Sequence, residues 1–189
     1  LLITKVPKKI IIIIDAAYSE YVTDKDYSNG IDFAKRHKNI IVTRTFSKIF
    51  GLASLRLGWC YAHNDIIQLM NKVRGPFNIN QIAQTAGVEA LKDKKYVKNS
   101  INHNKFWLRK MNNELSKLPI QVCDSRANFL LLNIGKSVKI LNRFLLSKSV
   151  IVRLMDKYNL PQYIRVSIGT SKENKKFIKS MKEFFNGKK

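Results

Sequence analysis

The sequence predicts an α/β fold, and three apolar runs in its first third support this. Residues 10–14 are five isoleucines followed by Asp15, residues 39–43 read NIIVT, and residues 57–62 read LGWCYA. Runs that are apolar on both faces are typical of buried parallel strands. A helix-like stretch over residues 31–37 separates the first two runs, and such alternation of strand and helix indicates an α/β sheet.

The later elements follow from helical periodicity and from residues that end helices. A short helix over residues 64–73 ends before Gly75-Pro76, and a long helical segment then runs from about residue 80 to Pro119. The charged stretch Lys92–Lys95 is a candidate break in that segment. The remaining elements are predicted as a strand over 127–134, a helix over 137–148, strands over 150–154 and 163–168, and a helix over 171–185.

A capping box of Thr170 and Glu173 marks the start of the last helix. The buried side of that helix is predicted to consist of Phe177, Met181 and Phe184. The residue pattern of the sequence changes between residues 76 and 95, where a hinge is expected. We therefore divide the chain into residues 1–78 and residues 79–189, the second being a long connecting helix and a smaller α/β domain.

The composition is that of a globular protein, since 45% of the 189 residues are hydrophobic and 25% are charged. The isoleucine run is too short to cross a bilayer, and Lys5 interrupts the N-terminal stretch where a signal peptide needs an unbroken apolar core. Cys60 and Cys123 have neither a CxxC partner nor a neighbouring histidine cluster, which argues against a disulfide scaffold and a metal site. We expect a cytoplasmic protein with two reduced thiols and no membrane association.

The net charge of +22 raises the alternative of a basic α/β module that binds nucleic acid. However, the lysines are spread along the whole chain, and only 9 of the 35 basic residues are arginine, the side chain preferred for phosphate forks. Lysine, isoleucine and asparagine are all abundant, which is typical of A/T-rich codons. We therefore expect no nucleic-acid partner.

The segment TRTFSKIFGLASLRLGW, residues 43–59, holds the first candidate site residues. Lys48 follows a predicted buried strand, and an amine at the mouth of an apolar sheet is partly desolvated, which favours its attack on an aldehyde. Arg56 can fork a phosphate together with the hydroxyl groups of Ser47 and Thr45. The alternative is an ordinary solvated lysine after a strand.

Two further pairs of residues are candidates. Asp15 ends a predicted buried strand and can keep a pyridine nitrogen protonated, while Tyr18 can bond to a phenolic oxygen on such a ring; alternatively Asp15 caps a turn and Tyr18 packs. Arg153 and Arg165 lie in predicted strands and can face an anion pocket. The alternative for them is a pair of edge-strand charges that limit aggregation.

Six segments carry a resemblance to a known family. They are DAAYSEYV (15–22), TRTFSKIFGLASLRLGW (43–59), VRGPFNINQIAQTAGVEAL (73–91), SRANFLLL (125–132), VIVRLMDKYNLP (150–161) and IRVSIGTSKEN (164–174). In order and spacing they resemble the C-terminal half of a fold-type-I, class I/II pyridoxal-phosphate aminotransferase. The SK-x-x-GL-x-x-LR-x-G element is specific to this group, and RGPFN with the two arginine segments is similar to the histidinol-phosphate branch.

The resemblance implies a role for each candidate residue toward pyridoxal 5'-phosphate. Lys48 would form an imine with the cofactor and later move a proton, Asp15 would pair with the pyridinium nitrogen, and Tyr18 would reach the ring hydroxyl. The residues that would hold the cofactor phosphate are Thr45, Ser47 and Arg56. Ala16 stands where the family commonly has glutamate, a position outside the chemistry.

For substrates, the resemblance implies amino transfer between L-histidinol phosphate and 2-oxoglutarate, giving imidazole-acetol phosphate and L-glutamate in histidine biosynthesis. Arg165 would bind the carboxylate of glutamate or the phosphate of histidinol phosphate, with Arg153 as its helper. The related alternatives are an aromatic or phospho-amino-acid aminotransferase and a threonine-phosphate decarboxylase. A homodimer is implied for the full-length protein.

The resemblance also gives the two divisions of the chain a meaning. Residues 1–78 are expected to be the C-terminal part of a large cofactor-binding domain. Residues 79–189 are expected to be the connecting helix and the small domain. Because such an enzyme is about twice as long, the N-terminal half of the large domain is expected to be absent from this chain.

Overall fold

The computed structural model describes residues 2–187, apart from the side chain of Leu2, and divides into two compact units, residues 1–99 and residues 100–189. The first unit has a three-stranded sheet and the second a four-stranded sheet, each accompanied by helices. The predicted α/β fold class is confirmed.

The secondary structure follows the predicted order. The helices are α1 (Leu2–Lys5), α2 (Ile31–Arg36), α3 (Asn64–Val73), α4 (Gln81–Lys92), α5 (Lys94–Leu115), α6 (Val138–Ser147) and α7 (Ser171–Asn186). The strands are β1 (Ile12–Asp15), β2 (Ile40–Thr45), β3 (Gly58–Ala62), β4 (Gln121–Val122), β5 (Phe129–Asn133), β6 (Arg153–Leu154) and β7 (Tyr163–Ser167). Short α1 and β4 were not predicted, and β6 is shorter than the predicted strand over 150–154. None of the helices in the described residues is both long and apolar enough to cross a bilayer.

The first sheet has the order β1-β2-β3. β1 runs parallel to β2, as predicted, but β3 runs antiparallel to β2, so the prediction of a third buried parallel strand over residues 57–62 was wrong. A parallel neighbour requires a crossover, usually through a helix. Here residues 46–57 connect β2 to β3 without a crossover helix, and the Phe46 N–H donates to the Leu57 carbonyl at 3.0 Å.

One face of the first sheet is buried and the other is open in the described chain. Ile40 and Val42 are fully buried and pack with Ala34 of α2. Ile13, which points to the opposite face because side chains alternate along a strand, is 64% exposed. The prediction that the isoleucine run is covered on both faces is therefore not met within this chain.

The long helical segment is broken, as predicted, between α4 and α5. Asp93 lies between the two helices and accepts a hydrogen bond from the Tyr96 N–H at 2.8 Å, which caps α5. Gly87 of α4 packs so closely that an added Cβ would lie 2.5 Å from Cδ2 of Leu57. This packing explains why α4 belongs to the first unit. The domain boundary between residues 78 and 79 stays a prediction about the parent protein.

The second unit has an antiparallel sheet with the order β4-β5-β7-β6. Its core joins one face of the sheet to α5, α6 and α7 through Trp107, Met111, Leu115, Leu130, Leu132, Leu141, Leu145, Ile164, Phe177, Met181 and Phe184. The predicted buried side of α7 is confirmed, as is its capping box, in which Thr170 and Glu173 bond to each other's backbone N–H. The second unit therefore buries a large core of its own.

We expect residues 79–189 to be soluble and to melt cooperatively, whereas residues 1–189 alone aggregate. The second unit has its own core, while the first leaves apolar surface such as Ile13, 64% exposed, open to other chains. Size-exclusion chromatography and calorimetry of the two chains measure this. A monomeric 189-residue chain beside an insoluble 79–189 chain would contradict it.

Acid is expected to destabilise the second unit. Hydrogen bonding to Lys182 lowers the pKa of Glu114 below its ordinary 4.5, and hydrogen bonding to Lys148 does the same for the pKa of Glu183. A carboxyl group whose pKa is lowered by folding stabilises the fold above its unfolded pKa and loses that contribution as the pH falls through the folded pKa. Lowering the pH below about 4.5 should therefore lower the melting temperature of residues 79–189. In Glu114→Gln this fall should be shallower, and an unchanged profile would contradict the assignment.

Candidate active site

The carboxyl ends of β1 and β2 meet at one edge of the first sheet. Asp15 is paired with Thr43, and the Ala16 N–H donates to the Thr43 carbonyl at 3.0 Å. Because the two strands are parallel, the segments that follow them leave the sheet at the same edge. The structure thus brings together two segments that the sequence separates by almost thirty residues, residues 15–18 and residues 45–48.

Lys48 and Tyr18 face each other at this edge. The Lys48 Nζ lies 5.1 Å from the centroid of the Tyr18 ring, and both residues are half-buried. The turn after Lys48 is closed by Gly51, whose N–H donates to the Lys48 carbonyl at 3.0 Å. Gly51 has a φ of 71°, a conformation that glycine adopts without steric cost. The backbone therefore holds the Lys48 amine beside an aromatic ring.

Thr45, Ser47 and Arg56 form a second cluster, named the phosphate-binding group after the role that the sequence predicts for it. The Arg56 Nη1 donates to the Ser47 Oγ at 3.4 Å and to the Ala53 carbonyl at 2.8 Å, while the Ser47 N–H donates to the Thr45 Oγ1 at 3.0 Å. Arg56 has a φ of 52°, which is uncommon for a residue other than glycine. Guanidinium and hydroxyl groups in this arrangement suit an anion such as a phosphate.

Asp15 is exposed in the described chain, although it ends a strand that was predicted to be buried. It lies on the open face of the sheet, which it shares with Ile13 because of the two-residue alternation. Its Oδ1 accepts a hydrogen bond from the Ala17 N–H at 3.1 Å. One carboxylate oxygen of Asp15 therefore caps the following turn, as in the alternative interpretation, while the side chain remains accessible to a ligand from the solvent.

Arg153 and Arg165 lie in the second unit, directly opposite each other on β6 and β7. Both line a cavity of about 670 Å³. The Arg153 Nη2 donates to the Tyr158 Oη at 2.9 Å, and the Arg165 guanidinium lies 5.0 Å from the centroid of the Phe129 ring. The edge-charge alternative does not fit Arg165, since β7 is an inner strand.

Neither arginine forms an ion pair with a carboxylate in the described part of the chain. Two cations directly opposite each other on neighbouring strands repel. An anion between them would remove this repulsion, and Ser149, Ser167 and Lys176 supply further polar groups around the same cavity. Glu173 also lines the cavity, and its Oε2 accepts hydrogen bonds from the Thr170 N–H and hydroxyl group. The pair is therefore suited to a carboxylate or a phosphate.

Sequence analysis missed one ion pair beside the site, that between Glu20 and Arg44. The Arg44 Nη2 lies 2.5 Å from the Glu20 Oε1. A signal for it was present, since alternation along β2 places Arg44 on the same side as the buried Ile40 and Val42. A charge on a buried face requires a partner.

Residues 2–181 match the family described as aminotransferase class I and II, and the chain belongs to that family. More narrowly, its curated relatives include histidinol-phosphate aminotransferases. That of Pelagibacter ubique (strain HTCC1062) is 46% identical over 186 residues, which cover 96% of this chain and 52% of the relative. That of Maricaulis maris (strain MCS10) is 38% identical, covering 94% of this chain and 50% of the relative. The chain thus spans about half the length of the relatives it matches, and the resemblance seen in its sequence is confirmed.

Solved structures agree with the fold. The histidinol-phosphate aminotransferase of Clostridium acetobutylicum is 28% identical with a TM-score of 0.87, covering 95% of this chain and 55% of that one. The Sinorhizobium meliloti enzyme, solved in complex with pyridoxal-5'-phosphate, has a TM-score of 0.87 at 23% identity, covering 99% of this chain and 52% of that one. At that identity the second likeness shows the fold alone.

Proposed function

We propose that the full-length protein containing this chain is a histidinol-phosphate aminotransferase of histidine biosynthesis. It would transfer an amino group between L-histidinol phosphate and 2-oxoglutarate, giving imidazole-acetol phosphate and L-glutamate. The observation that carries the proposal is the placement of Lys48 against Tyr18 and beside the phosphate-binding group. The 46% identity to a relative of that name supports the choice of substrate.

The cofactor that fits these residues is pyridoxal 5'-phosphate. The phosphate-binding group offers a cation and hydroxyl groups to the cofactor phosphate. The Lys48 amine suits the aldehyde, the Asp15 carboxylate suits the ring nitrogen, and the Tyr18 phenol suits the ring hydroxyl. When bound, the cofactor supplies an electron sink for the bond broken at the substrate Cα.

The side chains of this chain would then hold and move protons. Asp15, as a carboxylate, keeps the proton on the ring nitrogen. Lys48 would act as the general base that takes the proton from the substrate Cα and holds it for return to the cofactor carbon, C4′. Tyr18 would donate a hydrogen bond from its phenol to the ring oxygen. Each role needs only a side chain that the edge of the first sheet already presents.

Arg153 and Arg165 would bind the anionic end of the substrate. The carboxylate of glutamate and the phosphate of histidinol phosphate are both bidentate acceptors, which match a guanidinium fork. The register that sets the two arginines opposite each other supports the binding of one anion by both of them. Sharing one pair of cations lets a single site take both substrates in turn.

The proposal includes a homodimer in the cytoplasm, with small molecules rather than nucleic acid or membrane as partners. Membership of the aminotransferase family supports the homodimer in the cytoplasm and the small-molecule substrates. The lysines are spread over the whole chain, and only 9 of the 35 basic residues are arginine, which supports the absence of a nucleic-acid partner.

Steady-state assays of the full-length protein test the proposal. L-histidinol phosphate with 2-oxoglutarate is expected to react, and L-histidinol without its phosphate to have a KM at least about tenfold higher. Arg165→Gln should raise the KM for the phosphorylated substrate by a similar factor, while Arg143→Gln, an exposed arginine of α6, should not. Equal rates with aromatic amino acids, or release of carbon dioxide from threonine phosphate, would point to the alternative enzymes.

A further inference from the structure

We propose that the ion pair between Glu20 and Arg44 fixes Tyr18 against Lys48, so that Glu20 and Arg44 are positioning residues for the cofactor ring. The proposal rests on the proposed function for the role of Tyr18. The pair joins two segments that are far apart in sequence, since its residues are separated by 24 positions. One of these segments carries Tyr18 and the other carries Lys48.

The pair is largely removed from water. The side chains of Arg44 and Glu20 are only 13% and 14% exposed. Arg44 also lies over Trp59, its guanidinium carbon 5.3 Å from the ring centroid, and its buried Nε has no hydrogen-bond partner in the described residues. Arg44 therefore depends on Glu20 for the compensation of its charge, and a buried pair of this kind is costly to break from one side.

The pair is connected to Tyr18 through a very short turn. Glu20 is the middle residue of the 3-10 turn Ser19–Tyr21, which starts directly after Tyr18. The Tyr21 N–H donates to the Tyr18 carbonyl at 3.0 Å, and the Val22 N–H donates to the Ser19 carbonyl at 3.2 Å. A single 3-10 turn has poor hydrogen-bond geometry by itself. The ion pair supplies the anchor that the turn lacks.

The other end of the pair is rigid. Arg44 lies in β2, is paired in register with Trp59 of β3, and is followed directly by Thr45 of the phosphate-binding group. Alternation places the Arg44 side chain on the face of the sheet opposite to Thr43 and Thr45. Arg44 and Glu20 thus act on the site through the backbone, which makes them positioning rather than catalytic residues.

Hydrogen exchange tests the anchor without any cofactor. In full-length Glu20→Gln, the amides of Tyr21 and Val22 should exchange about tenfold faster, while the amides of β2 keep their rates. Arg44→Lys, which keeps the charge but loses the fork, should give a smaller increase. Glu89→Gln, which breaks an exposed ion pair with Lys92 on α4, is the matched control and should leave both amides unchanged. Unchanged exchange at Tyr21 and Val22 in Glu20→Gln would overturn the proposal.

A double-mutant cycle tests whether the pair acts through Tyr18. The dissociation constant of pyridoxal 5'-phosphate, followed by cofactor absorbance, should rise about tenfold in Glu20→Gln and about tenfold in Tyr18→Phe, yet only about tenfold in the double variant. Additive effects, about a hundredfold in the double variant, would overturn the proposal. Ile40→Val destabilises the same sheet at a fully buried position. An equal loss of cofactor binding in that variant would show that Glu20 acts by stability alone.

The two experiments separate this proposal from the proposed function. If the unaltered full-length protein takes up no pyridoxal 5'-phosphate, the proposed function fails. The exchange rates at Tyr21 and Val22 then show by themselves whether the ion pair anchors the turn. If the cofactor binds and the cycle is additive while exchange is unchanged, the function stands and the anchor fails.

Discussion

Replacing Lys48 with alanine is expected to abolish amino transfer in the full-length protein, with a loss of more than about 10⁴-fold in kcat. The loss is expected to be large because the proposed function gives this one side chain two tasks, the attack on the cofactor aldehyde and the movement of the proton at the substrate Cα. The half-buried amine beside Tyr18 is the described group that fits both tasks. The measurement is a single-turnover assay with L-glutamate, read as the change in cofactor absorbance.

Peptide mapping provides an independent check on Lys48. Borohydride reduction of the cofactor-loaded protein should attach the cofactor to the peptide containing Lys48, and mass spectrometry should find no such adduct in Lys48→Ala. Lys72→Ala, an exposed lysine of α3, is the control and should keep both the adduct and the activity. An adduct on any other lysine would refute the assignment.

Replacing Asp15 with asparagine is expected to slow cleavage of the substrate Cα–H bond by about 10²-fold or more, with the cofactor still bound. An amide has nearly the shape of a carboxylate but has no charge to hold the proton on the ring nitrogen. Without that proton, the ring would stabilise negative charge at the substrate Cα less strongly. The phosphate-binding group is untouched, and this is why binding should persist.

α-Deuterated L-glutamate identifies the step that Asp15→Asn slows. The primary isotope effect on kcat should be larger in the variant than in the unaltered protein, because proton removal becomes rate-limiting. Asp26→Asn, an exposed carboxylate outside the site, is the matched control. Near-normal rates in Asp15→Asn, or an unchanged isotope effect, would remove Asp15 from the proposed chemistry.

The positions of the candidate residues at strand ends could be predicted because these residues lie in short segments with strong local patterns. Asp15 ends the isoleucine run, and Lys48 follows the next predicted strand. The structure places the ends of these two strands side by side. The exposure of Asp15 could not be predicted in this way. Whether a strand face is covered depends on elements elsewhere in the fold, and no described element of this chain covers Ile13.

The sequence by itself determined the α/β class, the order of the main elements, the break within residues 92–95 and the capping box of α7, because hydrophobic period, caps and turn residues act over a few positions. It also determined the family, because six segments match the motifs of that family in order and spacing. Only the tertiary structure decided the antiparallel direction of β3, the register that sets Arg153 opposite Arg165, and the partner of Arg44. These features depend on contacts between residues far apart along the chain, and no local pattern specifies which distant strand or charge will be the neighbour.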